Sequence, residues 1–139
     1  MKTETQFAEP ARLHHLVNHI TSNLVPDTVR NKCLIINDVP EGIQVNNNEE
    51  LLSSILSNLI GLVITNAENS HIRITAKLFG NVVLLHVKDD GSLNYDLISS
   101  KLTTMQTLAA RLGGYVGFTS FRNKLTTIAF SFTNIAHAA

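Results

Sequence analysis

The chain has little of what would announce a function. Cys33 is its only cysteine, so an intrachain disulfide is excluded and a reducing compartment is expected. Charge of neither sign dominates: 11 Lys and Arg balance 11 Asp and Glu. A neutral chain has no basic surplus with which to hold a nucleic acid or an anionic membrane, so neither partner is expected. The opening residues, MKTETQFAEP, contain no apolar signal core. The longest apolar run, Leu59 to Ile64, is interrupted by Gly61 and is too short to cross a bilayer. A cytoplasmic location is expected, for a whole protein or for a piece of a larger one. There is no P-loop, no GxSxG, no HExxH and no internal repeat. At 139 residues, 44% apolar and 16% charged, the chain suits one soluble domain with one core.

What is present is organised around Asn48 to Thr65, NEELLSSILSNLIGLVIT. Leu51, Leu52, Ile55, Leu56, Leu59, Leu62 and Val63 recur at helical spacing and line one face. Asn46 to Asn48 offer an N-cap, and Glu49 and Glu50 suit the positive end of the helix dipole. Asn58 interrupts the apolar run; inside a core such an amide needs a partner or a cavity.

The other elements follow by the same reasoning. Residues 1–10 read as a flexible lead-in. Ala11 to Leu24 carries Leu13, Leu16, Val17, Ile20 and Leu24 on one stripe, a first helix ended by Pro26. Cys33 to Asn37 suits a strand, Pro40-Glu41-Gly42 a turn, and Ile43 to Val45 an extended segment. Ile72 to Leu78 alternates as a half-buried strand. Gly80-Asn81 turns it into Val82 to Val87, apolar almost throughout and therefore central. Asp96 to Leu112 is a third helix, stopped by Gly113 as a left-handed cap. Tyr115 to Ser120 and Thr126 to Thr133 form a last hairpin, and residues 135–139 are a tail. Helices separated by hairpins do not make serial βαβ units. The expected architecture is α+β: one domain over residues 11–134, a two-layer sandwich of a mixed, mostly antiparallel sheet covered on one face by about three helices.

With these elements placed, the chain resembles the ATP-binding domain of sensor histidine kinases, within the GHKL (Bergerat-fold) ATPases. NDVPEGIQVNNNEELLSSILSNLI is similar to that family's strand, turn and N-box helix, and HIRITAKLFGNVVLLHVKDDG to the hairpin entering the G1 box. LAARLGGYVGFTS is similar to the segment after the G2 box, and KLTTIAFSF to the closing strand. The resemblance implies ATP held between the N-box helix and the sheet. A G1 aspartate would accept the adenine amino group, asparagines would hold phosphate and Mg²⁺, and glycines and a lid would cover the phosphates. Carried over residue by residue, it assigns nucleotide-binding positions to Asp89, Gly91, Thr126 and Asn58, with Lys101 as a phosphate contact. Each has a plainer reading too: a solvated Asp-Asp-Gly turn, an ordinary strand threonine, a solvated lysine.

The departures gather at one end of the ligand. The second N-box asparagine, one helical turn after Asn58, is Leu62, which cannot coordinate a metal. Asn66 could replace it only by a register slip that leaves too short a connection to the next strand. The second G1 glycine is Leu93. The G2 glycines fall on Ser99 and Lys101, and the interval from Gly91 to Lys101 leaves no room for a lid. The adenine end is kept in part, while the Mg²⁺ and triphosphate end is largely gone. The expectation is therefore a chain with no catalytic residue, no Mg²⁺ site and at most ATP or ADP held by its base.

Other chemistry-bearing residues are read as structural. His15 and His19 lie one turn apart without a third ligand, and no helical hairpin precedes them as a phosphoacceptor histidine would require; His14 shares their helix. His86 is a sheet-face residue and Cys33 reads as buried packing. Three hypotheses remain: an interaction or regulatory module that binds a kinase, a receiver domain or a second copy of itself; a nucleotide-binding kinase domain with a reduced site; and a phosphotransfer protein in which this domain docks a receiver.

Overall fold

The computed structural model describes residues 11–91, 95–121 and 124–134. The expected lead-in, the expected tail and Leu93 lie outside the described residues. The chain opens with α1 (Leu13–Asn23), whose predicted stripe is buried through Leu13, Val17 and Ile20. Pro26 does not simply end this helix. It stands in the first turn of a short second helix, α2 (Val25–Asn31), where its missing N–H costs nothing. The sandwich therefore has four helices among the described residues rather than about three. Cys33 likewise does not open the next strand: its N–H closes α2 by bonding Thr28 O at 2.9 Å. Strand β1 is Leu34–Asn37.

The segment at Ile43 to Val45 is extended but does not join the main sheet. It pairs with the chain entering α1, through Leu13 N–H to Ile43 O (2.9 Å) and Val45 N–H to Ala11 O (2.7 Å). Asn134 secures it from the other end of the chain, accepting from Asn46 N–H and donating to Gln44 O.

Helix α3 (Glu49–Asn66) begins as expected, with Asn48 Oδ1 accepting Leu51 N–H at 3.1 Å. Beyond the predicted stripe, Ile60 and Ile64 are also buried, because α3 packs against α1, α2, α4 and strand β3 at once. Strands β2 (His71–Phe79) and β3 (Val82–Asp89) form a hairpin over Gly80, whose φ of +60° is left-handed. Helix α4 (Tyr95–Ala110) ends where Gly113, at φ +69°, lets Gly114 N–H reach back to Ala109 O. Strands β4 (Tyr115–Phe121) and β5 (Lys124–Thr133) close the fold.

The five strands run β1-β2-β3-β5-β4, with β1 parallel to β2 and every other pair antiparallel. This is the mixed, mostly antiparallel sheet expected, with β3 interior. Alternation sends Ile72, Ile74, Val83, Leu85, Val87, Ile128, Phe130 and Phe132 into the core beneath the helices. Full burial of each such side chain contributes about 1.5–3 kcal/mol. The same period brings Asp89 to the core side, at the end of β3.

Candidate nucleotide site

Asp89 is 1% exposed. Its Oδ1 accepts Ser70 Oγ–H at 2.6 Å and its Oδ2 accepts Gly91 N–H at 3.0 Å. Burial raises its pKa; the two hydrogen bonds oppose that rise, and the neighbouring Asp90 charge adds to it. Thr126, 2% exposed, stands opposite Asp89 across β3 and β5, and Ile72 stands opposite it on the other side. A Cβ on Gly91 would lie 3.1 Å from Ser70 Cβ and 3.4 Å from Asp89 Oδ2, so glycine lets the turn lie flat on both. The structure thus gathers Asp89, Gly91 and Thr126, and adds Ser70. A carboxylate with two partners keeps lone pairs for another donor, such as an exocyclic amino group.

Ser70 was not found by sequence reasoning. It precedes the alternating run of β2 and belongs to no motif. Only the parallel β1 and antiparallel β3 registers bring it beside Asp89. Cys33 is half-buried rather than buried, and its Sγ lies 3.8 Å from Ser70 Oγ.

Among the described residues, the remaining sequence candidates share no side-chain hydrogen bond with this cluster. Asn58 is exposed on α3, so it is not the core amide in need of a partner that its setting suggested. One turn on, Leu62 is 6% exposed and belongs to the hydrophobic core. Asn66 spends its amide on its own helix, donating to Leu62 O at 2.8 Å. Lys101 is exposed on α4. His15 and His19 are exposed, while His14 Nδ1 bonds Val39 O at 2.7 Å. Among the described residues, no group of three His, Cys, Asp or Glu is placed to hold a metal. His86 lies on the open sheet face, where burial and then Lys88 and Lys77 push its pKa down.

No family model matches this sequence, and no curated protein matches it. Solved structures do. The nucleotide-free catalytic domain of histidine kinase ThkA superposes with a TM-score of 0.76 at 15% identity, covering 91% of this chain and 96% of that one. This chain has the fold of a histidine kinase catalytic domain. Full-length ShkA in complex with AMPPNP gives a TM-score of 0.75 at 20% identity, covering 94% of this chain and 32% of ShkA. Histidine kinase ThkA in complex with response regulator TrrA gives 0.72 at 15%, covering 88% and 40%. Identities this low carry the fold and not the activity. Among the described residues, no helix is long and apolar enough to cross a membrane.

Proposed function

We propose that this chain is a non-catalytic interaction or regulatory module of a two-component-type signalling system, built on the histidine kinase catalytic fold. The observation that carries the reading is Leu62, an apolar side chain packed in the core where the resemblance places a metal-holding asparagine. Amide oxygens suit a hard cation and a leucine offers none. Asn66, the nearest substitute, is already bonded to the backbone of its own helix. With no metal ligand there, the negative charges of a triphosphate have little to neutralise them. The expected partner is a signalling protein, a kinase or a receiver domain; the solved pairing of ThkA with a response regulator supports that class. A homodimer is the second arrangement the reading allows.

The runner-up is a functional ATP-binding kinase domain with a reduced site. The cluster of Ser70, Asp89, Gly91 and Thr126 favours it, because it keeps a buried acceptor suited to adenine. Thermal melting with ATP or ADP, with and without Mg²⁺, separates the two. A ligand at about 100 times its Kd adds roughly 2.7 kcal/mol of stability. The module reading expects no Mg²⁺-dependent shift at millimolar nucleotide. A rise that requires Mg²⁺ and disappears in Asp89→Asn establishes the runner-up instead.

A further inference from the structure

Two backbone groups on edge strand β4 are held by a side chain instead of a strand. Gln106 Nε2–H donates to Val116 O at 2.7 Å, and Gln106 Oε1 accepts Val116 N–H at 3.1 Å. Bonds to the N–H and the C=O of one residue are the pair that an antiparallel neighbour makes. The primary amide of Gln106 therefore stands in for a peptide backbone at the outer side of β4, the last strand of the five-stranded sheet. Gln106 is half-buried on α4, and its amide hangs on rotatable bonds, so it can swing out while the helix stays folded.

Little else keeps β4 from pairing. Its sequence, YVGFTSF, contains neither a charge nor a proline, the residues that usually blunt an edge. The register shift between Thr119 and Phe121 disturbs only its far end. Beside the edge lies a groove of about 300 Å³, lined by Ser99, Leu102, Thr103 and Gln106 of α4 and by Val116, Gly117 and Phe118 of β4. None of these residues is charged, so the groove suits an uncharged occupant. Its β4 wall spans three residues, roughly 10 Å of extended chain. Val116 and Phe118 pair with Phe130 and Ile128 of the core and share their face of the sheet. An added strand residue opposite Val116 sends its side chain to that same face, into the groove and toward the buried Leu102.

We infer that β4 takes up an extended, uncharged segment of a partner protein as an antiparallel sixth strand, and that Gln106 is the latch this segment displaces. The segment's backbone replaces the Gln106 amide on Val116, and one of its apolar side chains fills the groove. A second copy of the chain is a poorer occupant. Its own Val116 and Phe118 are already packed in its own core, so its β4 has no apolar side chain left to place there. The inference deepens the interaction-module reading and rests on it for the partner being a protein. The latch shares no hydrogen bond with Ser70, Asp89 or Gly91, so nucleotide melting judges that reading without judging this one.

The test is an NMR titration of the isotopically labelled full chain with the capped peptide Ser-Thr-Val-Thr-Val-Thr-Ser. The same peptide N-methylated at both valines is titrated in parallel; it keeps the side chains and loses the backbone donors. The expected result is saturable shifts at Val116 and Gly117, with the Gln106 side-chain amide moving to the position of a solvated amide. The N-methylated peptide should leave all three unmoved at the same concentration. In Gln106→Ala the unmodified peptide should bind at least about fivefold more tightly, because no latch competes for Val116. The two peptide arms use the parent chain and decide the matter even where Gln106→Ala does not fold. Equal response to the N-methylated peptide, shifts at β1 instead of β4, or a Gln106 amide that stays fixed while peptide binds overturns the inference. So do shifts at Val116 that follow chain concentration without peptide, which assign the edge to a second copy, and an absence of shifts in the parent chain.

Discussion

Asp89 and Thr126 face one another across the two central strands, both almost wholly buried, and Ser70 completes the contact by donating to the Asp89 carboxylate at 2.6 Å. A charged group removed from water persists only when its acceptors are filled. This end of the sheet is therefore specified by four residues from three stretches of the chain: the foot of β2, the end of β3 with the turn beyond it, and β5.

Titration of Asp89 gives a prediction with a definite sign. Its pKa in the folded chain lies above the ordinary carboxylate value because of burial, so the folded state binds the proton more tightly than the unfolded chain does. The stability this contributes is full below the unfolded pKa of about 3.9 and is lost as pH rises through the folded value. Asp90 behaves oppositely: the His71 backbone N–H holds its pKa down, so its contribution is lost as pH falls. Urea denaturation from about pH 3 to pH 7 separates the two. Relative to Asp89→Asn, the parent chain should lose stability as pH rises, while the Asp90 effect cancels in the difference.

Removing the partner of that carboxylate is a second test. Ser70→Ala deletes the donor at Oδ1 and leaves a buried acceptor short of one bond. The expected cost is about 1–3 kcal/mol, read as a lower urea midpoint at unchanged slope. A neutral outcome would mean that water replaces the hydroxyl and that Asp89 is less enclosed than described.

Gln106 guards an edge. Its side-chain amide donates to Val116 O at 2.7 Å and accepts Val116 N–H at 3.1 Å, occupying the outer backbone groups of edge strand β4 as another strand would. Gln106→Leu should lower stability by about 1–3 kcal/mol and promote association through the bared edge. Denaturation together with light scattering against concentration checks both parts.

Gly114 is required by close approach rather than by its dihedral angles. A Cβ there would lie 1.8 Å from Ser131 O, backbone that cannot yield cheaply. Gly114→Ala should cost about 3 kcal/mol or more by forcing β4 away from β5. By contrast, Gly61→Ala meets nothing within 4 Å and should stabilise α3 by roughly 0.5–1 kcal/mol.

How much of this was legible depended on the range of the interactions. Period-two alternation in Ile72 to Leu78 and helical spacing in Leu51 to Val63 are local, and both elements formed where expected. Asn48 and Gly113 were readable as caps because capping involves only neighbours in sequence. Pro26 was half-read: a proline that cannot continue one helix is equally suited to start the next. Asn58 misled because it stands at the border of the covered face: Ile55 and Leu62, three and four residues away, are buried while Asn58 falls on the exposed side, and sequence alone does not reveal where that border lies. Ser70 and Gln106 were invisible, since each acts on a strand brought to it by tertiary register.

The central claim is that a chain with Leu62 at the metal-holding position of α3 cannot grip a magnesium-bound triphosphate, and calorimetric titration of Mg-ATP into the full chain measures this most directly. The account predicts no saturable heat at millimolar ligand, or a weak signal unchanged when Mg²⁺ is removed. Micromolar binding that depends on Mg²⁺ and vanishes in both Asn58→Ala and Asp89→Asn would contradict it.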